Sequence, residues 1–208
     1  MQTLVVYYSR TGNTRKIAEE VAAALKADIE ELKDPKYCKG VVGWLRSGRD
    51  ATKRLPADLE PLVHDPAAYD LVVVGTPVWG GTICSPVRTF LAQQRSHLKK
   101  VAWFCTCRAE DGSSAAKAFP EMTEESGSTP VGTLSLGPKA VKGDHSLALN
   151  TFVSQVAARS SSWVEATQMK TLVVFCSRTG NTRKIGSQVA MALKADVEEL
   201  VDRNSRDG

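Results

Sequence analysis

Ser9-Arg10-Thr11-Gly12-Asn13-Thr14 decides how this chain folds, and the same six residues return as Ser177-Arg178-Thr179-Gly180-Asn181-Thr182. Each copy follows an apolar run, Leu4 to Tyr8 or Leu172 to Cys176, and precedes a helical pattern. In the first copy Ile17, Val21 and Leu25 recur at four-residue steps, the stripe of an amphipathic helix. A buried strand thus delivers a glycine-containing loop that opens a helix. Backbone N–H groups at a helix start lack intrahelical partners, and the helix dipole favours negative charge there. The hydroxyls of Ser9, Thr11 and Thr14 add donors, and hydrogen bonds to charged groups are worth about 1.5–3 kcal/mol each. The stretch therefore reads as a phosphate cradle. It is neither Gly-x-Gly-x-x-Gly nor the Gly-Lys-Ser/Thr of triphosphate loops.

Outward from that loop, strand and helix signals alternate, the order expected of a parallel sheet covered on both faces. Strands are expected at Leu4–Tyr8, Asp28–Leu32, Asp70–Thr76, Lys100–Cys107 and Val131–Leu136. Helices are expected at Arg15–Ala27, Ser85–Arg95, Ser114–Ser126 and Asp144–Ala157. Gly40–Leu55 suits a partly helical excursion, whose Arg46, Arg49, Lys53 and Arg54 read as a solvated face. Loops 9–14, 77–82 and 106–112 follow the carboxyl ends of strands, where open parallel sheets bind ligands. In the second of these, Trp79 offers a flat apolar face, and Gly80-Gly81 lets backbone approach a ligand closely.

With 208 residues, 42% of them hydrophobic, the chain supports one sizeable core with length to spare. No run approaches the ~18 apolar residues of a membrane span, and the start lacks a secretory pattern, so a cytoplasmic protein is expected. The five cysteines form no disulfide framework. Cys105 and Cys107 fall on one face of a strand and read as reduced, buried thiols. His64, His97 and His145 have no ligand spacing, so no metal is expected. The net charge of +4 is dispersed, without an aromatic-interleaved basic stripe, which argues against nucleic acid as a partner.

Ser9 to Thr14 after the first strand, Gly75-Thr76-Pro77-Val78-Trp79-Gly80-Gly81 after the third, and the Phe104-Cys105-Thr106-Cys107 strand end together resemble the flavodoxin family. The resemblance covers roughly residues 1–158. It implies an α/β, flavodoxin-like, doubly wound five-stranded parallel sheet in the order 2-1-3-4-5, helices on both faces, and a noncovalently held FMN. Carried over position by position, Ser9, Arg10, Thr11, Gly12, Asn13 and Thr14 would hold the phosphate. Thr76, Pro77, Val78, Trp79, Gly80 and Gly81 would border the isoalloxazine, with Trp79 stacking on it or covering it. Thr106, Cys107 and Arg108, through to Asp111, would form its other wall. The implied function is electron transfer to or from a redox partner protein. Arg10, Arg15, Arg88 and Arg108, in or near these loops, depart from the acidic surround of shuttle flavodoxins. They motivate an alternative, an NAD(P)H-dependent FMN oxidoreductase acting on quinones or similar small acceptors. A noncatalytic binding or assembly module is the third reading.

Residues 169–202 repeat residues 1–34 at a constant offset of 168, with nine mismatches. Serine-rich 159–168 reads as a linker and 203–208 as a disordered tail. The repeat has no second Trp-Gly-Gly loop, so it cannot build another whole flavin site. A strand and one helix bury too little to fold alone. The repeat is therefore expected to dock on its own domain, replace the first strand, pair with another molecule as a homodimer, or stay disordered. A truncated tandem duplication without a function of its own is the simplest account, and a swapped homodimer the sharper one.

Overall fold

The computed structural model describes residues 1–35, 48–110, 113–167, 172–175, 181–193 and 196–199. The chain divides into two compact units, Met1–Ser160 and Ser161–Gly208. In the first, five parallel strands build the sheet: β1 (Thr3–Tyr7), β2 (Asp28–Glu31), β3 (Leu71–Trp79), β5 (Val101–Thr106) and β6 (Thr133–Leu136). They lie in the order β2-β1-β3-β5-β6. The helices are α1 (Asn13–Leu25), α2 (Ser85–Gln94), α3 (Ser113–Ser126), α4 (Pro138–Lys142) and α5 (Ser146–Thr167).

Strands β1, β3 and β5 are apolar on both faces because both faces are covered. Val72, Val74, Trp103 and Cys105 join one core cluster with Phe90, Leu91 and Met122. Val5, Val73, Ala102 and Phe104 join the other with Ile17, Val21, Phe152 and Val156. Full burial of each large side chain stabilises by about 1.5–3 kcal/mol, so these strands are the rigid floor of whatever sits at their ends. Gly75 is required in β3, since a Cβ there would lie 1.9 Å from Phe104 Cζ.

The sheet has six strands rather than the expected five. Strand β4 (Thr82–Ile83) folds back antiparallel on β3, pairing Trp79 with Thr82 and Val78 with Ile83. Gly80 and Gly81 have φ of 61° and 81°, the two positive values that a two-residue type I′ hairpin turn demands. The stretch expected as an open loop at 77–82 is thus the end of a longer β3 and a tight hairpin.

Other expectations shift too. The closing helix expected at Asp144–Ala157 is α5, which starts at Ser146 and runs on to Thr167, and an additional short helix, α4, precedes it and ends at Gly143. Residues 159–167, expected as linker, continue α5; the serines there are accompanied by no glycine or proline, and serine alone is only mildly unfavourable in a helix. Of the excursion at 40–55, residues 48–52 are helical and 40–47 lie outside the described residues. Asp111 and the expected tail 203–208 also lie outside them.

In the second unit, β7 (Leu172–Phe175) and β8 (Asp196–Glu199) flank α6 (Asn181–Leu193) and pair in parallel as a two-stranded sheet. Leu172 faces Asp196 just as Leu4 faces Asp28, so the repeat keeps the register of its first copy. Its surroundings differ. Ile17 and Val21 are fully buried, whereas their counterparts Ile185 and Val189 are 61% and 42% exposed. Among the described residues no helix is long and apolar enough to cross a membrane.

Candidate functional site

Strand β1 delivers the 9–14 loop to the sheet's carboxyl edge. Gly12 is the N-cap of α1 with φ of 90°, a left-handed conformation that suits glycine. No side chain caps this helix among the described residues, and its first turn carries no acidic group. A Cβ on Gly12 would meet no described atom within 4 Å, so the space before it is open. Ser9 Oγ is buried with no hydrogen-bond partner among the described residues, an orphan of the kind that a ligand satisfies. Thr14, 2% exposed, lies with its Oγ1 2.8 Å from Thr106 Oγ1, which ties the loop to the end of β5.

The loop borders a cleft of about 590 Å³. Arg10, Thr11, Asn13 and Thr14 line one side, Pro77 to Trp79 and Thr106 to Arg108 another. Helix α4 supplies Pro138, Val141 and Lys142. Two contacts clip α4 and the residues after it to α1. Lys16 Nζ donates to the Val141 carbonyl at 2.8 Å, and His145 Nε2 meets the Glu20 carboxylate while its Nδ1 lies 2.8 Å from the Ala140 carbonyl. The Glu20 bond raises the His145 pKa above its ordinary value, against the opposing effect of burial.

A second cleft, of about 470 Å³, adjoins the first, because Val78, Trp79 and Arg108 line both. Gly80, Gly81, Ala109 and Ser114 complete it, with Gly48 and Arg49 from the excursion after β2. Trp79 is half-buried and packs edge-on against Tyr8, ring centroids 6.0 Å apart at 89°. The two clefts form one groove, hydroxyl-rich and basic at one end, aromatic and glycine-lined at the other.

Most of the residues singled out in the sequence meet here. Thr76 is an exception. It is fully buried, donating to the Pro77 carbonyl and accepting from the Cys84 N–H. Of the four arginines, Arg10 and Arg108 line the groove. Arg15 is engaged by both Glu31 oxygens at 2.6 and 2.7 Å, and Arg88 is buried against Glu121 and Glu125 at 2.7 and 2.8 Å. Charge counted along a sequence cannot foresee such partners. Cys107 lines the wall, and Cys105 is fully buried beside it, with Ser135 Oγ 3.5 Å from Cys105 and 3.9 Å from Cys107. Interaction with Cys107, together with burial, raises the pKa of Cys105, while interaction with Cys105 outweighs burial and lowers the pKa of Cys107.

Sequence reasoning missed Pro138, Val141, Lys142, Arg49 and Ser114. The first three had a signal, since they follow the carboxyl end of the last parallel strand, where ligands bind. Arg49 had none, because its excursion reaches the groove only through tertiary packing.

This combination of a doubly wound parallel sheet and a phosphate-type loop beside an aromatic hairpin defines a class of small flavin-binding folds. A flavodoxin family model matches residues 2–130, well over half of the chain, and the chain belongs to the flavodoxin family. It is similar to the flavoprotein of Lactobacillus acidophilus NCFM, solved in complex with FMN, at 25% identity and a TM-score of 0.56, over 68% of this chain and 96% of that one. A Bacteroides uniformis ATCC 8492 protein assigned as a flavoprotein is 26% identical, with a TM-score of 0.54 over 68% of this chain and 95% of that one. Another, from Bacteroides eggerthii DSM 20697, is 20% identical with a TM-score of 0.51 over 68% and 93%, a likeness of fold alone. No curated protein matches the chain.

Proposed function

We propose that the first unit holds FMN noncovalently and passes electrons through it. One observation carries the reading. The helix start without a side-chain cap and buried Thr14 lie at one end of a groove whose other end is Trp79 and a glycine hairpin, and the orphaned Ser9 hydroxyl belongs to the same loop. The residues fit the group. Ser9, Thr11 and Thr14 hydroxyls and the leading amides of α1 would hold the phosphate, with Arg10 and Lys142 adding positive charge. Val78, Trp79, Gly80 and Gly81 on one side and Arg108 and Ala109 on the other would receive the ring. The bound flavin supplies the redox chemistry; the chain orients it and sets its exposure. Cys107 and Thr106 are polar neighbours able to tune it through hydrogen bonds.

Arg49 and Arg108 at the ring end favour a second reading, an oxidoreductase that takes electrons from an anionic nicotinamide cofactor and gives them to quinones. Steady NADPH consumption with a quinone would select it. Delivery of electrons to a protein acceptor without such turnover would select the carrier.

Calorimetric titration tests the shared premise. The protein should bind FMN, and Thr14→Ala should weaken FMN by about 10- to 100-fold while leaving riboflavin, which lacks the phosphate, nearly unchanged. Silence at millimolar FMN overturns the reading; equal losses for both ligands remove Thr14 from the phosphate end.

A further inference from the structure

The hairpin that carries Trp79, Gly80 and Gly81 into the ring end is closed by only two residues, Thr82 and Ile83. Two glycines at positive φ bring conformational freedom rather than stiffness, and so short an antiparallel pairing is weak by itself. The structure places a buried charge network on those two residues. Thr82 Oγ1 lies 2.8 and 2.6 Å from the Glu121 oxygens, and the Ile83 N–H donates to Glu121 Oε2 at 3.0 Å. Arg88 Nη1 stands 2.7 Å from Glu121 Oε1, and Arg88 Nη2 donates to Thr82 Oγ1 at 3.0 Å. The Thr82 hydroxyl therefore gives its proton to Glu121 and accepts one from Arg88. Arg54 reaches Glu121 from outside at 3.5 Å. Burial pushes the Glu121 pKa up, yet the bonds from Thr82, Ile83 and Arg88 outweigh it and hold the carboxyl below its ordinary value, so it is charged.

A buried ion pair is a poor device for stability alone, since well-packed apolar residues often serve as well or better. What charged groups add is direction: Glu121 accepts from both residues of β4 and Arg88 donates to Thr82, while Glu125 holds Arg88 from its other side. We propose that Glu121, paired with Arg88, is a positioning residue for the ring end: it anchors β4 and so holds Trp79, Gly80 and Gly81 in the shape that receives a flat ring. This rests on the flavin reading above. Glu121 touches neither cleft lining nor phosphate loop, so its effect passes through the hairpin.

Glu121→Gln keeps the side chain's size and one acceptor oxygen but removes one of the two carboxylate charges that Arg88 answers. FMN and riboflavin should both bind about tenfold more weakly, with their ratio unchanged, since the loss sits at the ring and not at the phosphate. Emission from the bound flavin should rise as the indole loses its fixed place beside it. A variant that binds both ligands with native affinity overturns the proposal. Should Glu121→Gln fail to fold, Glu121→Leu with Arg88→Leu removes both charges together; ring binding should still weaken, and native affinity there overturns it equally. If the unaltered protein takes up no flavin, the earlier reading falls on its own. Amide hydrogen exchange across Gly80–Ile83 then decides the positioning role: faster exchange in Glu121→Gln upholds it, unchanged exchange overturns it.

Discussion

At His145 both ring nitrogens face acceptors, the Glu20 carboxylate and the Ala140 carbonyl, an arrangement that only the protonated ring, with an N–H on each nitrogen, satisfies in full. Its folded pKa lies above the ordinary 6.5, raised first by the Glu20 bond. The sign of the linkage follows. The stabilisation is fully present below about pH 6.5 and is lost as pH climbs through the raised folded value. His145→Gln should therefore lower the melting temperature more at pH 6 than at pH 9. An equal drop at both would mean that the ring contributes packing and no charge. Because His145 and Lys16 clip α4 to α1, the same proton helps keep Lys142 at the basic end of the groove.

Single elements show where the reading of the chain succeeded and where it could not. Strands β1, β3 and β5 were legible because a strand buried on both faces must be apolar throughout. The β1–α1 loop was legible because hydroxyls, a glycine and a helix start coincide. The hairpin was not, because Gly80-Gly81 reads equally as a loose approach to ligand or as a type I′ turn, and only pairing across to β4 separates them. Helix α5 outran its expected end because serine composition marks linkers statistically without stopping a helix physically. Arg15 and Arg88 read as positive charge in or near the binding loops, although Glu31 and Glu121 hold them, each partner contributed by an element the chain pattern cannot align. Gly75 tests the sheet itself. Phe104 lies over the place of its missing side chain, and β3 is paired on both edges, so the strand has no way to yield. Gly75→Ala should cost about 1–3 kcal/mol by overpacking, read from denaturant unfolding. A variant of native stability would show that Phe104 has another place to go.

The whole molecule contains its own control. Ile17 and Ile185 occupy the same position in two copies of one sequence, the first fully buried and the second 61% exposed. Ile17→Ala should therefore destabilise by about 2–5 kcal/mol, and Ile185→Ala should stay within about 0.5 kcal/mol. Parallel thermal melts check both, and matching losses would mean that the second copy is sealed in solution. The match of a sequence to its setting, rather than the sequence itself, makes a core. The Thr14–Thr106 bond, in turn, joins residues 92 apart along the chain. A hydroxyl owns one hydrogen. Were an anion to claim the one on Thr14, the shared bond would have to draw its hydrogen from Thr106, which could then offer it to nothing else on the facing wall. Arrival at one mouth of the groove would thus be announced across the sheet by the turning of a single O–H, with no backbone atom obliged to move.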